Sequence, residues 1–220
     1  MQTALITGSA KRIGKELAVS LHSKGYSVIL HYHTAKSEAE ELSQALGCRV
    51  VFGNLANADS ARFIFDQIEG QVDILINSAA HFQNDTLANF SADTFLKTIM
   101  INFNAPIALA REMISRHPSG VIINLLDAWA KEIKPKFLSY SISKNALEKF
   151  TKSAAPQLPP GFRMNGLLLG AALIKEQQNA DIFKELQNKY PCTVEDICKA
   201  VEYVITNTEL NGQIIDLTKK

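Results

Sequence analysis

A tyrosine and a lysine four residues apart, Tyr140 and Lys144, are the pair in this sequence best suited to acid–base chemistry. They open a segment predicted to be helical, in which residues i and i+4 lie on the same face. A phenol with an ordinary pKa of about 10 is a poor acid–base group at neutral pH, but an adjacent ammonium favours the phenolate and lowers that pKa. We therefore expect the pair to transfer a proton. The pattern alone is weak, because Tyr-x-x-x-Lys also occurs by chance.

A glycine-containing loop near the amino end, Thr7 to Gly14 (TGSAKRIG), is suited to binding phosphate. Gly8 favours a tight turn and Gly14 favours close packing of a strand and a helix, while the first N–H groups of that helix are free to hold a pyrophosphate. Arg12 stands where a middle glycine is expected, so the loop alone also fits an ordinary strand-to-helix turn. The candidate cofactor ligands here are Gly8, Lys11, Arg12, Ile13 and Gly14.

The end of the second apolar run, HYHTAK from His31 to Lys36, indicates which dinucleotide the loop would take. An Asp or Glu that binds the 2′-hydroxyl of NAD is expected roughly 20 residues after the glycine loop, and none is present. Lys11, Arg12, His33 and Lys36 offer groups that a 2′-phosphate could use instead, which predicts NADPH. His31 and His33 share a face at strand spacing; we interpret His31 as structural and His33 as a ligand.

Short apolar runs must position these residues, and they alternate with segments of helical period along the whole chain. The runs are mostly continuous Val, Ile and Leu, as in strands buried on both faces of a parallel sheet. Strands are predicted at Thr3 to Thr7, Ser27 to His33, Arg49 to Gly53, Asp73 to Asn77, Gly120 to Leu126, Met164 to Leu168 and Gln213 to Leu217.

The helical segments carry recognisable start signals. These are Ser37 with Glu40, Ser91 opening a segment that runs to about Arg116, and Thr193 with Asp196. Alternating strands and helices predict one doubly wound α/β domain of the Rossmann type over residues 1–220, with a mostly parallel, seven-stranded sheet. In such sheets ligands bind beyond the carboxyl ends of the strands, where the strand order reverses.

Composition excludes several classes of function. The 220 residues carry 23 basic and 22 acidic side chains, a net charge of +1, which gives no electrostatic excess for nucleic acid or anionic membranes. No apolar run approaches the roughly 20 residues of a membrane span, and no leader is recognised, so a cytoplasmic protein is expected. The three cysteines fit a reducing compartment. Metal-ligand spacing is lacking, so no metal site is expected.

The fourth strand is followed by Asn77-Ser78-Ala79-Ala80, and with the glycine loop and the Tyr/Lys pair this order and spacing resembles the short-chain dehydrogenase/reductase family over essentially the whole chain. The resemblance implies that Tyr140 donates or accepts the proton, that Lys144 binds the nicotinamide ribose and tunes Tyr140, and that Asn102 holds a relay water. The implied cofactor contacts outside the glycine loop are His33, Thr34, Asn54, Leu55, Asn77, Ser78, Ala79, Tyr140, Lys144 and Gly170.

Where the family usually has a catalytic serine, this chain has Asp127, thirteen residues before Tyr140. An Asp-Ala pair at this point resembles the pteridine reductase branch, as do the Lys-Arg pair of the glycine loop, the His-Tyr-His strand end and the Ala146-Leu147-Glu148 segment. Three positions depart from the branch: Thr34 replaces an arginine, Leu169-Gly170 replaces Pro-Gly, and His81, followed by Phe82, replaces a phenylalanine that stacks on pterin. The candidate substrate contacts are Asp127, His81, Trp129 and Tyr140.

The resemblance implies an NADPH-dependent reductase acting on the C=N bond of a dihydropterin-like small molecule, with the enzyme assembled as a homo-oligomer, commonly a tetramer in this family. Two alternatives stay open at this stage. One is a carbonyl reductase of the same family, such as a 3-oxoacyl thioester reductase. The other is a dinucleotide sensor without turnover, against which Asn102, Tyr140 and Lys144 weigh, because a sensor needs no proton donor.

Overall fold

The computed structural model describes residues 1–128, 136–172 and 187–218, and its centre is a seven-stranded sheet with the order β3-β2-β1-β4-β5-β6-β7. All neighbouring strands pair in parallel. This confirms the predicted doubly wound fold, and the order reverses between β1 and β4. The strands are β1 (Thr3–Ile6), β2 (Ser27–Tyr32), β3 (Arg49–Phe52), β4 (Ile74–Asn77), β5 (Gly120–Asp127), β6 (Phe162–Leu169) and β7 (Ile214–Asp216).

The sheet is buried on both faces, which explains the continuous apolar runs in the sequence. One face packs against helices that contribute Leu17, Leu42 and Val201, and the other against helices that contribute Ile64 and Leu109. The α-helices that lie wholly within the described residues are α1 (Arg12–Ser23), α2 (Lys36–Leu46), α3 (Ser60–Phe65), α4 (Ala92–Ile99), α5 (Ala105–Arg116), α6 (Leu138–Ala154) and α7 (Val194–Thr206).

Two of the three predicted helix starts are confirmed. The Ser91 side chain accepts a hydrogen bond from Thr94 N, and Thr193 forms a reciprocal capping box with Asp196. Ser37 was predicted wrongly: α2 already begins at Lys36, and the Ser37 hydroxyl lies inside the first turn, 3.3 Å from Glu41 Oε1. A serine there can bond a side chain one turn on, so it does not act as a cap.

Strand boundaries shift by one to two residues from the predicted ones at several ends. β6 is longer than predicted because Phe162 already pairs with Gly120, and β7 is shorter because its pairing with β6 spans only Ile214 to Asp216. Backbone pairing decides where a strand ends, and apolar composition reports it only approximately.

The segment opened by Ser91 is helical to Arg116, as predicted, but it is not a regular α-helix throughout. A π-helical turn, Met100–Asn104, joins α4 to α5 and contains Asn102. Such turns inside α-helices are frequent at functional sites. Across the described residues, none of the helices has the length and apolar character needed to cross a membrane.

Candidate active site

The loops after β1 and β4 meet at the edge of the sheet where the strand order reverses, and together with the end of β5 they carry many of the predicted site residues. The Thr7 hydroxyl, at the end of β1, accepts hydrogen bonds of 3.0 Å from Ser78 N and from Ala79 N, which follow β4. The glycine loop and the Asn77-Ser78-Ala79 segment are therefore held side by side at the point where ligands bind in a doubly wound sheet.

Both glycines of the phosphate loop are needed for steric reasons. Gly8 has φ of 64°, and a Cβ there would lie 2.9 Å from Ala79 Cα. A Cβ on Gly14 would lie 2.5 Å from the Gly8 carbonyl oxygen. Neither position accepts a side chain without moving backbone, so the two glycines allow the close approach of the loop to Ala79 and of α1 to Gly8.

Arg12, which stands where the sequence suggests a glycine, adopts φ of 55° and is the sole non-glycine residue with positive φ among the described residues. This conformation costs roughly 1–2 kcal/mol for an L-residue, so the surrounding loop must hold it in place. Lys11 is exposed and forms an ion pair of 2.5 Å with Glu38 of α2. The hydrogen bond from Lys11 lowers the pKa of Glu38.

The remaining predicted contacts on the adenosine side lie near this loop. His33 and Thr34 are exposed at the end of β2, and the His33 ring lies 6.0 Å from the Phe52 ring, centroid to centroid. Asn54 forms a local turn, in which its Oδ1 accepts from Ala56 N at 3.1 Å, and Leu55 is buried. The role of all four positions in cofactor binding stays a prediction.

Tyr140 and Asp127 form a direct hydrogen bond, in which the phenol donates to Asp127 Oδ2 at 3.0 Å. Asp127 is the last residue of β5 and Tyr140 lies in the first turn of α6, so a strand end and a helix start bring them together. Tyr140 is buried, and both this burial and the Asp127 carboxylate raise its pKa well above the ordinary value. The phenol therefore keeps its proton at neutral pH.

The prediction that Lys144 lowers the Tyr140 pKa is wrong for this arrangement. The Lys144 ammonium donates to the Leu125 carbonyl at 2.7 Å and lies 5.9 Å from the centroid of the Tyr140 ring. Burial and the nearby Asp127 carboxylate set the direction of the shift in the Tyr140 pKa, which is upward. Burial also lowers the pKa of Lys144 to about 8, although Asp127 opposes the shift.

Asn102 is fully buried and ties the helices to the loop after β4. Its Oδ1 accepts from His81 N at 2.7 Å, and its Nδ2 donates to His81 O at 2.9 Å and to Ser143 Oγ at 3.0 Å. The predicted substrate residue His81 is thus held by its backbone, and its Nδ1 lies 3.0 Å from Thr98 Oγ1. Asn102 thus lies beside α6, the helix that carries Tyr140, and its relay water stays a prediction.

Asn77 ends β4 and contributes a buried amide. Its Nδ2 donates to Asn124 Oδ1 at 2.8 Å, whereas its Oδ1 is buried without a hydrogen-bond partner among the described residues. An unpaired buried acceptor costs stability unless a further group reaches it.

Two residues of this site were not predicted. Asp85 is buried, and its carboxylate accepts hydrogen bonds from Ser139 N at 3.1 and 3.2 Å and from the Ser139 hydroxyl. The Asp85 carboxylate therefore caps the start of the helix that carries Tyr140. Phe82 packs edge-on against the Tyr140 ring at 4.6 Å between centroids and also contacts Phe137 at 4.7 Å. Asp85 lies 54 residues from Ser139, so no local pattern could indicate the contact.

Three predicted residues remain to be placed. Ile13 lies in the first turn of α1 and is partly buried against the apolar core. Trp129 lies outside the described residues. Gly170 follows β6, where a Cβ would overlap the Tyr190 carbonyl oxygen, so a close backbone contact accounts for this glycine. Among the described residues there is also no group of three or more His, Cys, Asp or Glu side chains that could hold a metal ion.

The model of the short chain dehydrogenase family matches residues 2–183, so the chain belongs to that family, as its residues predict. It is 26% identical to pteridine reductase 1 of Leishmania tarentolae, over 86% of this chain and 82% of the relative. It is 28% identical to the 3-oxoacyl-[acyl-carrier-protein] reductase FabG of Staphylococcus aureus, over 77% of this chain and 74% of the relative.

Among solved structures, the fold resembles FolM alternative dihydrofolate reductase 1 from Brucella suis in complex with NADP. The TM-score is 0.90 and the identity is 27%, over 98% of this chain and 93% of that chain. The similarity to a pteridine reductase and to an alternative dihydrofolate reductase supports the predicted branch of the family.

Proposed function

We propose that the chain is an NADPH-dependent reductase of a dihydropterin or dihydrofolate C=N bond. The observation that carries the proposal is the hydrogen bond between Tyr140 and Asp127, which places a carboxylate beside the proton donor. NADP in the similar Brucella structure supports the choice of cofactor. The basic side chains of Lys11 and Arg12, and the lack of an acid after β2, favour the 2′-phosphate form.

The residues of the loop after β1 and of the end of β4 fit this dinucleotide. Gly8 and Gly14 allow the close backbone packing that brings the start of α1 to this loop, and the buried Asn77 Oδ1 lacks a hydrogen-bond partner among the described residues, which a donor on the cofactor would supply. The nicotinamide of NADPH supplies the hydride. Lys144, held by the Leu125 carbonyl, would bind the ribose beside Tyr140.

The carboxylate of Asp127 favours a pterin over a simple ketone. Reduction of a ketone develops an oxyanion, which a neighbouring carboxylate repels, whereas a neutral hydroxyl stabilises it. A pterin presents N–H donors that a carboxylate accepts, and its imine nitrogen gains a proton. Tyr140, kept protonated by burial and by Asp127, would supply that proton.

A 3-oxoacyl thioester reductase is the second candidate, favoured by the 28% identity to FabG and by the presence of Asn102, Tyr140 and Lys144. A dinucleotide sensor without turnover is disfavoured, since it would not need Tyr140 as a proton donor.

Steady-state NADPH oxidation separates these functions. Wild-type protein would be assayed with 7,8-dihydrobiopterin, 7,8-dihydrofolate and an acetoacetyl thioester. We expect turnover with at least one pterin. Turnover of the thioester alone would establish the second candidate, and tight NADPH binding without turnover of any substrate would favour the sensor.

The assembly and location belong to the same proposal. We expect a cytoplasmic homotetramer, as implied by the family resemblance. Light scattering on the purified chain measures the mass, and a monomer would contradict the expected assembly without affecting the proposed chemistry.

A further inference from the structure

A buried histidine that takes no part in the proposed chemistry joins the phosphate loop after β1 to the segment that follows β3. His31 lies near the end of β2 and is 2% exposed. Gly8 N, in the phosphate loop, donates to His31 Nδ1 at 3.1 Å, and His31 Nε2 lies 3.1 Å from the carbonyl oxygen of Gly53, which follows β3. One imidazole therefore bridges three strand ends.

The partners fix the tautomer of this ring. A backbone N–H can only donate, so Nδ1 must carry a lone pair and accept from Gly8. Nε2 must then carry the proton, which it donates to the Gly53 carbonyl. Burial lowers the pKa of His31 to about 4, with a smaller opposing effect from the bond to Gly53 and a further lowering from His33. The ring is neutral at physiological pH and keeps its acceptor.

The backbone of His31 reinforces the contact. His31 N donates to Ser9 Oγ at 3.0 Å, and Ser9 N donates to His31 O at 3.0 Å. His31 thus forms hydrogen bonds to both Gly8 and Ser9 of the loop. Because the Gly8 N–H is bonded to the ring, phosphate must be bound by later groups of the loop.

The loop needs such an anchor for two reasons. Gly8 has a positive φ and lies close to Ala79, and three residues after Ser9 the chain adopts the strained conformation of Arg12. A strained backbone persists only where its surroundings over-determine it. By accepting from Gly8 N, His31 Nδ1 fixes the position of Gly8, where the strained segment begins.

We propose that His31 is a positioning residue for the dinucleotide: its Nδ1 acceptor orients the phosphate loop through Gly8 and thereby sets the affinity for NADPH. The inference rests on the proposed cofactor but not on the proposed substrate. It also predicts that removing the acceptor affects NADPH binding more than it affects the chemical step, because the hydrogen bonds of the ring go to Gly8 and Gly53.

Three substitutions of His31 distinguish the contributions of its two ring nitrogens. In His31→Asn the amide oxygen can take the place of Nδ1, in His31→Gln the amide nitrogen can take the place of Nε2, and His31→Phe keeps the ring without either group. The NADPH dissociation constant would be measured by titrating NADPH fluorescence at a temperature where each variant is folded. The matched control is Ile29→Val, a fully buried position on the same strand that lies outside the loop contacts.

We expect His31→Asn to bind NADPH within about threefold of wild type, and His31→Gln and His31→Phe to bind at least tenfold more weakly, about 1.4 kcal/mol. Ile29→Val should lower the melting temperature without changing the affinity. If the loss of NADPH affinity instead increased in step with the loss of melting temperature across all four variants, Ile29→Val included, His31 would be merely structural and the inference would be overturned.

A second measurement reports on the ring directly. The ¹⁵N shifts of His31 should show an unprotonated Nδ1 and a protonated Nε2 at pH 6 to 8 in the wild-type protein; the opposite tautomer would also overturn the inference. If wild-type protein binds neither NADPH nor NADH, the proposed cofactor fails and this role fails with it. If it binds NADPH but all variants bind equally well, only the role of His31 fails.

Discussion

The two ends of the proposed site use buried polar groups in opposite ways. On the cofactor side, His31 is neutral and both ring nitrogens bond to backbone atoms of Gly8 and Gly53. On the catalytic side, Tyr140 bonds to the carboxylate of Asp127, which is a second ionisable side chain. Groups satisfied by backbone hold a shape, whereas ionisable groups that face one another are suited to exchanging protons. Substitutions on the catalytic side should therefore change rate, and those on the cofactor side should change affinity.

Tyr140→Phe should give the largest effect. Removal of the hydroxyl takes away the proton donor and lowers turnover by about 10²-fold or more, the usual contribution of a positioned acid. NADPH affinity should stay close to that of wild type, because the ring is kept. The measurement is kcat for pterin reduction together with the NADPH dissociation constant. Wild-type turnover in this variant would remove Tyr140 from the mechanism.

Asp127→Ala and Asp127→Ser test the carboxylate itself. Asp127→Ala should lower pterin reduction severely, by at least about 10-fold, since the N–H groups of the substrate lose their acceptor, and Asp127→Ser, which offers only a neutral acceptor, should lower it as well. Asp127→Ser should in addition raise activity with an acetoacetyl thioester, because a hydroxyl stabilises the developing oxyanion. The ratio of kcat/KM for the two substrates measures the change. A ratio unaltered by either substitution would break the link between Asp127 and substrate choice.

Asp85→Ala should affect the folded state and the catalytic helix together. It leaves the buried Ser139 N–H without its acceptor, which costs about 1–3 kcal/mol in the free energy of unfolding. Because Tyr140 follows Ser139, kcat should also fall, while NADPH affinity should change little. Chemical denaturation and steady-state kinetics measure the two effects, and Asp85→Asn, which keeps an acceptor oxygen, is the control. Equal behaviour of the Ala and Asn variants would argue against the cap.

These residues show what the sequence could and could not predict. Apolar runs, the glycine loop and the spacing of Tyr140 and Lys144 are local patterns, and they predicted the sheet and the helix that carries Tyr140 correctly. The contacts from Asp85 to Ser139 and from His31 to Gly8 join segments distant in sequence, and depend on how the strands are arranged. The Tyr140 pKa was predicted in the wrong direction, because burial of the phenol cannot be judged from spacing.

The pKa of Lys144 predicts a dependence of stability on pH. Its folded value of about 8 lies below the ordinary 10.5, so between these values the unfolded chain binds more protons at this site than the folded protein does. The contribution of Lys144 to the free energy of unfolding therefore rises with pH from about 8. Tyr140, whose pKa is raised, acts in the opposite direction above pH 10, so the window of interest is pH 8 to 10.

Denaturant unfolding at several pH values in this window, compared between wild type and Lys144→Met, isolates the contribution of the lysine. The difference in unfolding free energy between the two proteins should shift in favour of wild type as the pH rises. A difference that is constant from pH 8 to 10 would mean that Lys144 keeps an ordinary pKa.

The smallest effect is expected on the cofactor side, for Glu38→Gln. The ion pair with Glu38 holds Lys11, and it is largely exposed, so solvent and salt screen it and its contribution is small. Removing the carboxylate should free Lys11 for the 2′-phosphate and raise NADPH affinity by up to about fivefold, with NADH affinity unchanged. Titrations with both nucleotides at low salt measure this. Parallel changes for NADPH and NADH would show that Lys11 does not contact the 2′-phosphate.

Transfer of deuterium tests the central claim most directly. The wild-type protein would be incubated with 7,8-dihydrobiopterin and NADPH that carries deuterium at C4 of the nicotinamide, and the products would be examined by mass spectrometry and NMR. We predict a tetrahydropterin with deuterium on the carbon of the reduced C=N bond. Absence of deuterium from the pterin, with deuterium found in the hydroxyacyl product of a parallel reaction with acetoacetyl thioester, would contradict the account.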